Sequence, residues 1–511
     1  MGKRLGASSM ILTLVLAVLL ALAAVQPAMA AGDPTGAGVP PERLTGVGLS
    51  FVWIVLAGAL VFLMQAGFAL VETGFTRARN AVHTMGMNLM VFLVGAIGFW
   101  LLGFPLMFGN VGALGTLTGT DVLNRGISFG GWNLLGTSGW LLTGAAYDVA
   151  VVLLFFFQVV FMDTAVTIPT GAMAERVKFS AVIVGSFFIS MLLFPVFGDW
   201  VWGGGWLAQL GATLGLGHGV VDFAGSGVVH TIGGMAALAG ALVLGPRRGK
   251  YGKDGTPVAI PGHDLPMGVL GTMILFFGWF GFNAGSTLSG SDLRLAVVAV
   301  NTMLAGAAGG LTALLYVKAR SGTFDVPMMC NGALAGLVAI TAPSAFVSPS
   351  SAALIGVVGG LLVVSAALFV ERRLRIDDPV GAVAVHGVNG LWGLLALGLF
   401  ADGTYGGGLN GVDGGVTGLL YGDAGQLLAQ VIGMAVAIAG GFGASYLFDR
   451  AYDRLFGLRV KPEDEAAGLD LPEMGALAYP EFVLARPDSE PAVETPAVIR
   501  VRAEEPDAEA V

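Results

Sequence analysis

Two aspartate–histidine pairs of identical spacing stand at the head of long apolar runs. Asp222 leads to His230 in DFAGSGVVHTIGGMAALAGALVL, and Asp378 leads to His386 in DPVGAVAVHGVNGLWGLLALGLF. Seven residues separate the partners in each pair, and the pairs lie 156 positions apart. Imidazole takes up and releases a proton near neutral pH. Two imidazoles in contact would titrate as a pair and could hand a proton across. An ionisable group near the middle of a membrane costs about 2.5 kcal/mol or more, so such groups usually mark a path for ions or protons. A single histidine in an apolar run is more often satisfied by a backbone carbonyl. A matched pair, each with its own aspartate, argues for a pathway. The repeat reads like a duplicated half, the plan of many membrane transporters.

The elements that must position these residues are membrane helices. The apolar fraction is 55% and the charged fraction 12%, half the roughly 25% charged of a soluble domain. In 511 residues that excess cannot be hidden in one soluble core, so lipid must cover much of it. The 81 glycines let helix backbones approach closely. A single cysteine, Cys330, excludes a disulfide framework and a thiolate metal cluster. Five scattered histidines argue against a protein-bound zinc site. The net charge of −9 is concentrated at the end: from Asp449 onward there are 15 acidic and 7 basic residues. Nucleic-acid binding has no support. Residues 1–30 read as a cleaved export signal, with Lys3 and Arg4, the apolar Met10–Val25, and the small-residue site Ala28-Met29-Ala30.

Apolar segments of membrane-crossing length begin near Val47, Val82, Asp148, Ser180, Val221, Leu265, Leu295, Asp325, Ala352, Pro379 and Ala424, eleven in all. Alternate connections carry 13 Lys and Arg residues, from Arg77 to Arg375, whereas the opposite ones carry only Arg43, Arg125 and Arg294. The bias places the mature amino terminus outside and the carboxyl terminus inside. Five helices precede the Arg247 loop and five follow it, so the expected fold is all-α, an inverted 5+5 repeat plus one extra helix. Asp222 then starts its span from outside and Asp378 from inside. An unbroken helix would rise about 12 Å between each Asp and its His, bringing both histidines to mid-membrane on antiparallel helices. Each Asp also reads as a simple helix N-cap. The expected domains are a transmembrane unit at 47–448, a cytoplasmic carboxyl-terminal region at 449–479, and a disordered acidic tail at 480–511.

Six segments in order carry a family likeness: FQVVFMD (Phe157–Asp163), AERVKFSA (Ala174–Ala181), WGGGW (Trp202–Trp206), DFAGSGVVH (Asp222–His230), GWFGFNAGS (Gly278–Ser286) and DDPVGAVAVHG (Asp377–Gly387). With this architecture, the chain resembles the ammonium transporter family (Amt, Mep and Rh proteins), bacterial Amt-type, from about Val52 to Tyr479. The resemblance implies a homotrimer in the inner membrane with one hydrophobic pore per subunit. It makes His230 and His386 the twin pore histidines. Trp202, Ser286, Phe161 and Asp222 would form an outer vestibule that recruits ammonium, with Phe157 as a plausible wall. Phe161 and Phe282 would be the stacked gate. Asp378 is read as an inner structural cap. Bacterial members commonly carry a Cys where this chain has Val380, a lesser pore contact. Glu175, Arg176 and Lys178, and Glu72 with Arg77, are read as topology and loop packing. Methylammonium would be a poor substrate analogue. The segment Gly468–Tyr479 resembles the family's carboxyl-terminal region, on whose face PII-type signalling proteins dock.

The expected function is therefore conduction of ammonia after deprotonation of ammonium, with net charge movement, and with no enzyme activity, cofactor or metal. Two rivals remain. Paired membrane histidines can hold haem, as in a redox subunit, although the Trp and Phe gates leave little space for it. The same fold could instead sense ammonium, although the tail carries no recognisable signalling domain.

Overall fold

The computed structural model describes residues 32–407 and 412–480. The export signal expected at 1–30 lies outside the described residues, as does the acidic tail from 481 onward. Among the described residues, ten helices are long and apolar enough to cross a membrane. In chain order the helices are α1 (Pro41–Phe75), α2 (Ala78–Phe108), α3 (Val149–Met173), α4 (Phe179–Val201), α5 (Ser226–Leu244), α6 (Leu265–Gly285) and α7 (Leu295–Ser321). There follow α8 (Val326–Thr341), apolar but shorter, then α9 (Pro349–Leu374), α10 (Val383–Phe400) and α11 (Ala424–Phe456). Two small antiparallel hairpins decorate loops: β1 (Gly126–Phe129) with β2 (Trp132–Gly136), and β3 (Asp402–Gly407) with β4 (Gly415–Thr417).

The helix starts follow from local chemistry. Asp148, Asp264, Asp325 and Asp423 each accept a hydrogen bond from a backbone N–H in the first turn of α3, α6, α8 and α11. Each satisfies one of the orphan donors at a helix start. Proline stands within the first two positions of α6, α8 and α9, where no N–H is missed. Large apolar side chains face outward, among them Val52 and Leu447 at 70% exposure and Met273 at 66%. Such a belt suits lipid and would be a liability in water.

α5 and α10 cross antiparallel at very close range. A Cβ on Gly234 would lie 2.2 Å from the Gly387 nitrogen, and one on Gly390 would lie 2.4 Å from the Ser226 oxygen. Only glycine permits this approach. The expectation of an unbroken helix from each Asp to its His needs correction. Gly225 adopts φ +112° and Gly381 φ +84°, outside the right-handed helical region. The helices therefore begin at Ser226 and Val383, each with a π-helical turn that contains the histidine.

Candidate functional site

Both aspartates cap these delayed helix starts. Asp222 accepts from the N–H groups of Gly225, Gly227 and Val228 at 3.0, 2.8 and 2.9 Å. Asp378 accepts from Gly381, Ala382 and Val383 at 3.1, 3.1 and 2.8 Å. Neither carboxylate bonds its histidine in this arrangement. Each instead fixes the first turn of the helix that carries one.

The two histidines meet directly. His230 Nδ1 and His386 Nδ1 are 3.1 Å apart, so one ring donates and the other accepts, and the pair holds a proton between them. Their ring centroids are 5.2 Å apart. A metal gripped by two imidazoles at about 2 Å each would set the nitrogens ~4 Å apart on opposite sides of the ion. The direct contact is therefore unfavourable to a haem iron between them. Among the described residues, no group of three or more His, Cys, Asp or Glu gathers as a metal site. His230 Nε2 is buried with no partner.

Aromatic rings surround the pair. His230 stacks on Phe282 at 5.5 Å and on Trp279 at 5.1 Å, and Phe68 lies 5.9 Å from His386. Phe282 in turn stacks on Phe161 at 4.1 Å with 27° between planes. Phe157 lies 4.7 Å from Phe161, and Trp202 meets Phe161 edge-on at 6.0 Å. Above the Phe161–Phe282 stack opens a cavity of about 460 Å³, lined by Phe157, Phe161, Trp202, Asp222 and Ser286 among others. Ser286 donates its proton to the Phe282 carbonyl at 2.8 Å, which leaves the hydroxyl lone pairs free to accept. The Trp202 indole N–H donates to the Asp222 carbonyl at 2.6 Å, which pins the ring beside the cap.

Every site residue expected from the sequence falls along this column, apart from Asp378. That residue lines a second cavity of about 290 Å³ with Val380, Asn331 and Glu371. Sequence reasoning missed Trp279 and Phe68. Trp279 stands three residues before Phe282 on α6, one turn away on the same face, and that spacing was the available signal. Phe68 had none, because only packing turns it toward His386.

The opposite end is built from ion pairs. Arg247 donates three hydrogen bonds to Asp377, at 2.8, 2.8 and 3.0 Å, and one to Glu175 at 3.1 Å. Arg77 also pairs with Glu175, and Arg176 donates to the Asp377 carbonyl at 2.7 Å. Burial opposes the Asp377 charge, but the Arg247 hydrogen bonds and the Arg176 charge prevail and hold the carboxyl down at about 2. Glu72, read from sequence alongside Arg77, pairs elsewhere, accepting from Asn88 and Thr170. The segment after α11 is tied to the same end. Asn80 accepts from the Leu469 N–H, Asp470 from the His83 N–H, and Glu473 from the Phe179 N–H, at 2.9, 2.9 and 3.0 Å.

Residues 52–479 match the model of the Ammonium Transporter Family. The chain is 48% identical over 471 residues to ammonium transporter Amt2 of Archaeoglobus fulgidus, covering 91% of this chain and 95% of that protein. Among solved structures, a sensor Amt protein is similar with a TM-score of 0.74 and 38% identity, over 84% of this chain and 100% of the other. Candida albicans Mep2 is similar with a TM-score of 0.72 and 29% identity, over 92% and 100%.

Proposed function

Because the chain belongs to the ammonium transporter family, we propose that it recruits ammonium at an outer vestibule and conducts ammonia through a hydrophobic pore past a twin-histidine pair. The observation that supports this reading is the unbroken column from the outer cavity through Phe161 and Phe282 to His230 and His386. Ammonium rests against the Trp202 and Phe161 ring faces, where a partly desolvated cation–π contact is worth about 2 kcal/mol. It donates to the Ser286 hydroxyl while the Asp222 carboxylate supplies a negative field. Phe157 completes the wall. At the Phe161–Phe282 gate the pore can no longer solvate a cation, so the proton is left and neutral ammonia continues. The histidines accept and pass a proton, which moves net charge. Methylammonium is a poor substrate of the same pore and enters as a slow analogue.

The wider reading is a homotrimer of multi-pass subunits in the inner membrane. Each carries eleven spans, with α8 as the short one, an inverted 5+5 repeat, an outside amino terminus and a cytoplasmic carboxyl terminus. The region 449–479 is regulatory and offers a face to a PII-type signalling protein. A second reading, ammonium sensing, draws support from the likeness to a sensor Amt protein. Reconstituted vesicles under an ammonium gradient separate the two, since a sensor carries little flux. In the same assay the double variant His230→Ala, His386→Ala loses or alters conduction by about tenfold or more. Near-normal rate and selectivity in that variant would sink the pore assignment.

A further inference from the structure

The outer cavity opens among acidic connections, yet one of its walls is backed by a fixed cation. Trp202, Asp222, Ser286 and Phe346 line the cavity and belong to connections at one end of the bundle. Those connections, 32–40, 109–148, 202–225, 286–294, 342–348 and 401–423, together hold eight Asp against Arg125 and Arg294. Glu42 and Arg43, in the first turn of α1, offset each other. A mouth of that sign concentrates cations, and a divalent one more than a monovalent one. Magnesium would therefore compete with ammonium for the field of Asp222 unless something turned it away.

Arg294 stands where it can do so. Its guanidinium carbon lies 5.7 Å over the Phe223 ring and 6.0 Å over the Phe346 ring, and both rings line the outer cavity. The rings meet edge-on at 5.9 Å and are 8% and 2% exposed. Phe223 directly follows Asp222, so the attracting carboxylate and a ring under the guanidinium come from adjacent residues. Asp292 holds the group in place, accepting from the Arg294 backbone N–H at 2.9 Å and from Nη2 at 3.0 Å. Nη1 donates to the Tyr405 carbonyl at 3.4 Å. The two side chains are 18% and 30% exposed, and partly buried charges are screened less than exposed ones. Helix chemistry gives no reason for the arginine. It is the N-cap of α7, where the dipole favours an anion. Packing on the rings alone would be served by an uncharged side chain.

We propose that Arg294 is a specificity-determining residue, a fixed cation behind the Phe223–Phe346 wall that keeps divalent cations out of the outer cavity and lets monovalent ones in. The repulsion scales with the charge of the visitor. A field that weakens ammonium binding by a given factor weakens magnesium binding by the square of that factor. Stacking by Arg294 also takes up ring face that a free cation would otherwise use, leaving the rings of Trp202 and Phe161 to ammonium. The proposal rests on the transport reading for the place where ammonium binds.

The test titrates full-length protein with ammonium chloride and with magnesium chloride at a fixed, low ionic strength. Tryptophan fluorescence reads occupancy of the cavity beside Trp202 and needs no flux, while uptake in vesicles reads competition. In Arg294→Gln, half-saturation falls about threefold for ammonium and about ninefold for magnesium, and magnesium becomes a competitive inhibitor of uptake. Asp292→Asn unmasks the arginine and shifts both values the other way. The two variants break the same ion pair, so damage to structure moves them in one direction, whereas a field moves them in opposite ones. Salt at ~1 M shrinks every shift. Equal changes for the two cations in Arg294→Gln, or shifts of one sign in both variants, overturn the proposal. Failure of the transport reading is seen separately, as absent ammonium uptake by the wild type, and the fluorescence comparison of the two cations does not depend on it.

Discussion

The two aspartate-capped helix starts use one backbone device in two different settings. At α5, Asp222 sits in a wall of aromatic rings, with Trp202 bonded to its carbonyl and the Phe161–Phe282 stack just below. At α10, Asp378 adjoins Asp377, which is locked to Arg247 and Arg176. Each cap accepts three backbone N–H bonds, two of them from the third and fifth residues after the aspartate. What differs is the company. Ring faces with a spare hydroxyl can greet a small cation; a lattice of paired charges can only hold helices together. On the proposed reading, the same local motif serves recognition at one end and anchorage at the other, and neighbouring side chains decide which.

That contrast can be broken most directly at the anchored end. Arg247→Ala leaves Asp377 and Glu175 buried, both with fully enclosed side chains. Stranding a buried partner costs about 3–5 kcal/mol. Assembled protein recovered by size exclusion in detergent falls sharply; undiminished yield would show that the lattice holds nothing. The recognition end responds in affinity and not in assembly. Trp202→Leu removes a cation–π contact worth about 2 kcal/mol, so half-saturation for ammonium rises by up to ~30-fold while melting stays close to the wild type. Unchanged saturation in Trp202→Leu with Ser286→Ala would place the outer site elsewhere.

A finer comparison sets the two caps against each other. Asn retains an acceptor oxygen for the cap and removes the charge. Asp222→Asn raises half-saturation about fivefold, the scale of a ~1 kcal/mol field effect, whereas Asp378→Asn leaves it within twofold or so. Equal shifts in the two variants would erase the division of labour. The smallest effect is in acid. The Asp377 carboxyl is held at about 2, below the ordinary value of about 3.9. A depressed carboxylate stabilises fully above its unfolded pKa, and that stability is lost as pH falls through the folded one. Between about pH 4 and pH 2, the melting temperature therefore drops more in the wild type than in Asp377→Asn. Parallel curves would contradict it.

The sequence made the helix starts legible wherever Asp or Ser precedes an apolar run and Pro follows. It made the histidine pair legible through equal spacing. The motifs pointed to Phe161, Trp202, Phe282 and Ser286, of which Trp202 and Ser286 stand at helix ends and Phe161 in the middle of α3. The rest depends on which face of one helix meets which face of another. Phe68 and Trp279 close on the histidines only through packing. The Gln65–Thr167 bond joins residues 102 positions apart, beyond any local pattern. The late starts of α5 and α10 were missed for another reason: Gly225 and Gly381 read as ordinary small residues in apolar runs, and their left-handed backbone has no periodic signature.

Those late starts carry a consequence for selectivity. α5 and α10 each begin within about one turn of their histidine and run antiparallel. A helix start bears a partial positive charge of roughly half a unit. Each of the two starts presents that charge toward the mouth from which an ion would approach, tempered by its aspartate. If the proposed pore passes the two histidines, its centre is an electrostatic hill from both sides to potassium, which cannot shed its charge. Ammonium carries the same charge at much the same size, yet its charge is a proton that can be left behind. On this reading the filter sorts its visitors by acidity, and radius hardly enters.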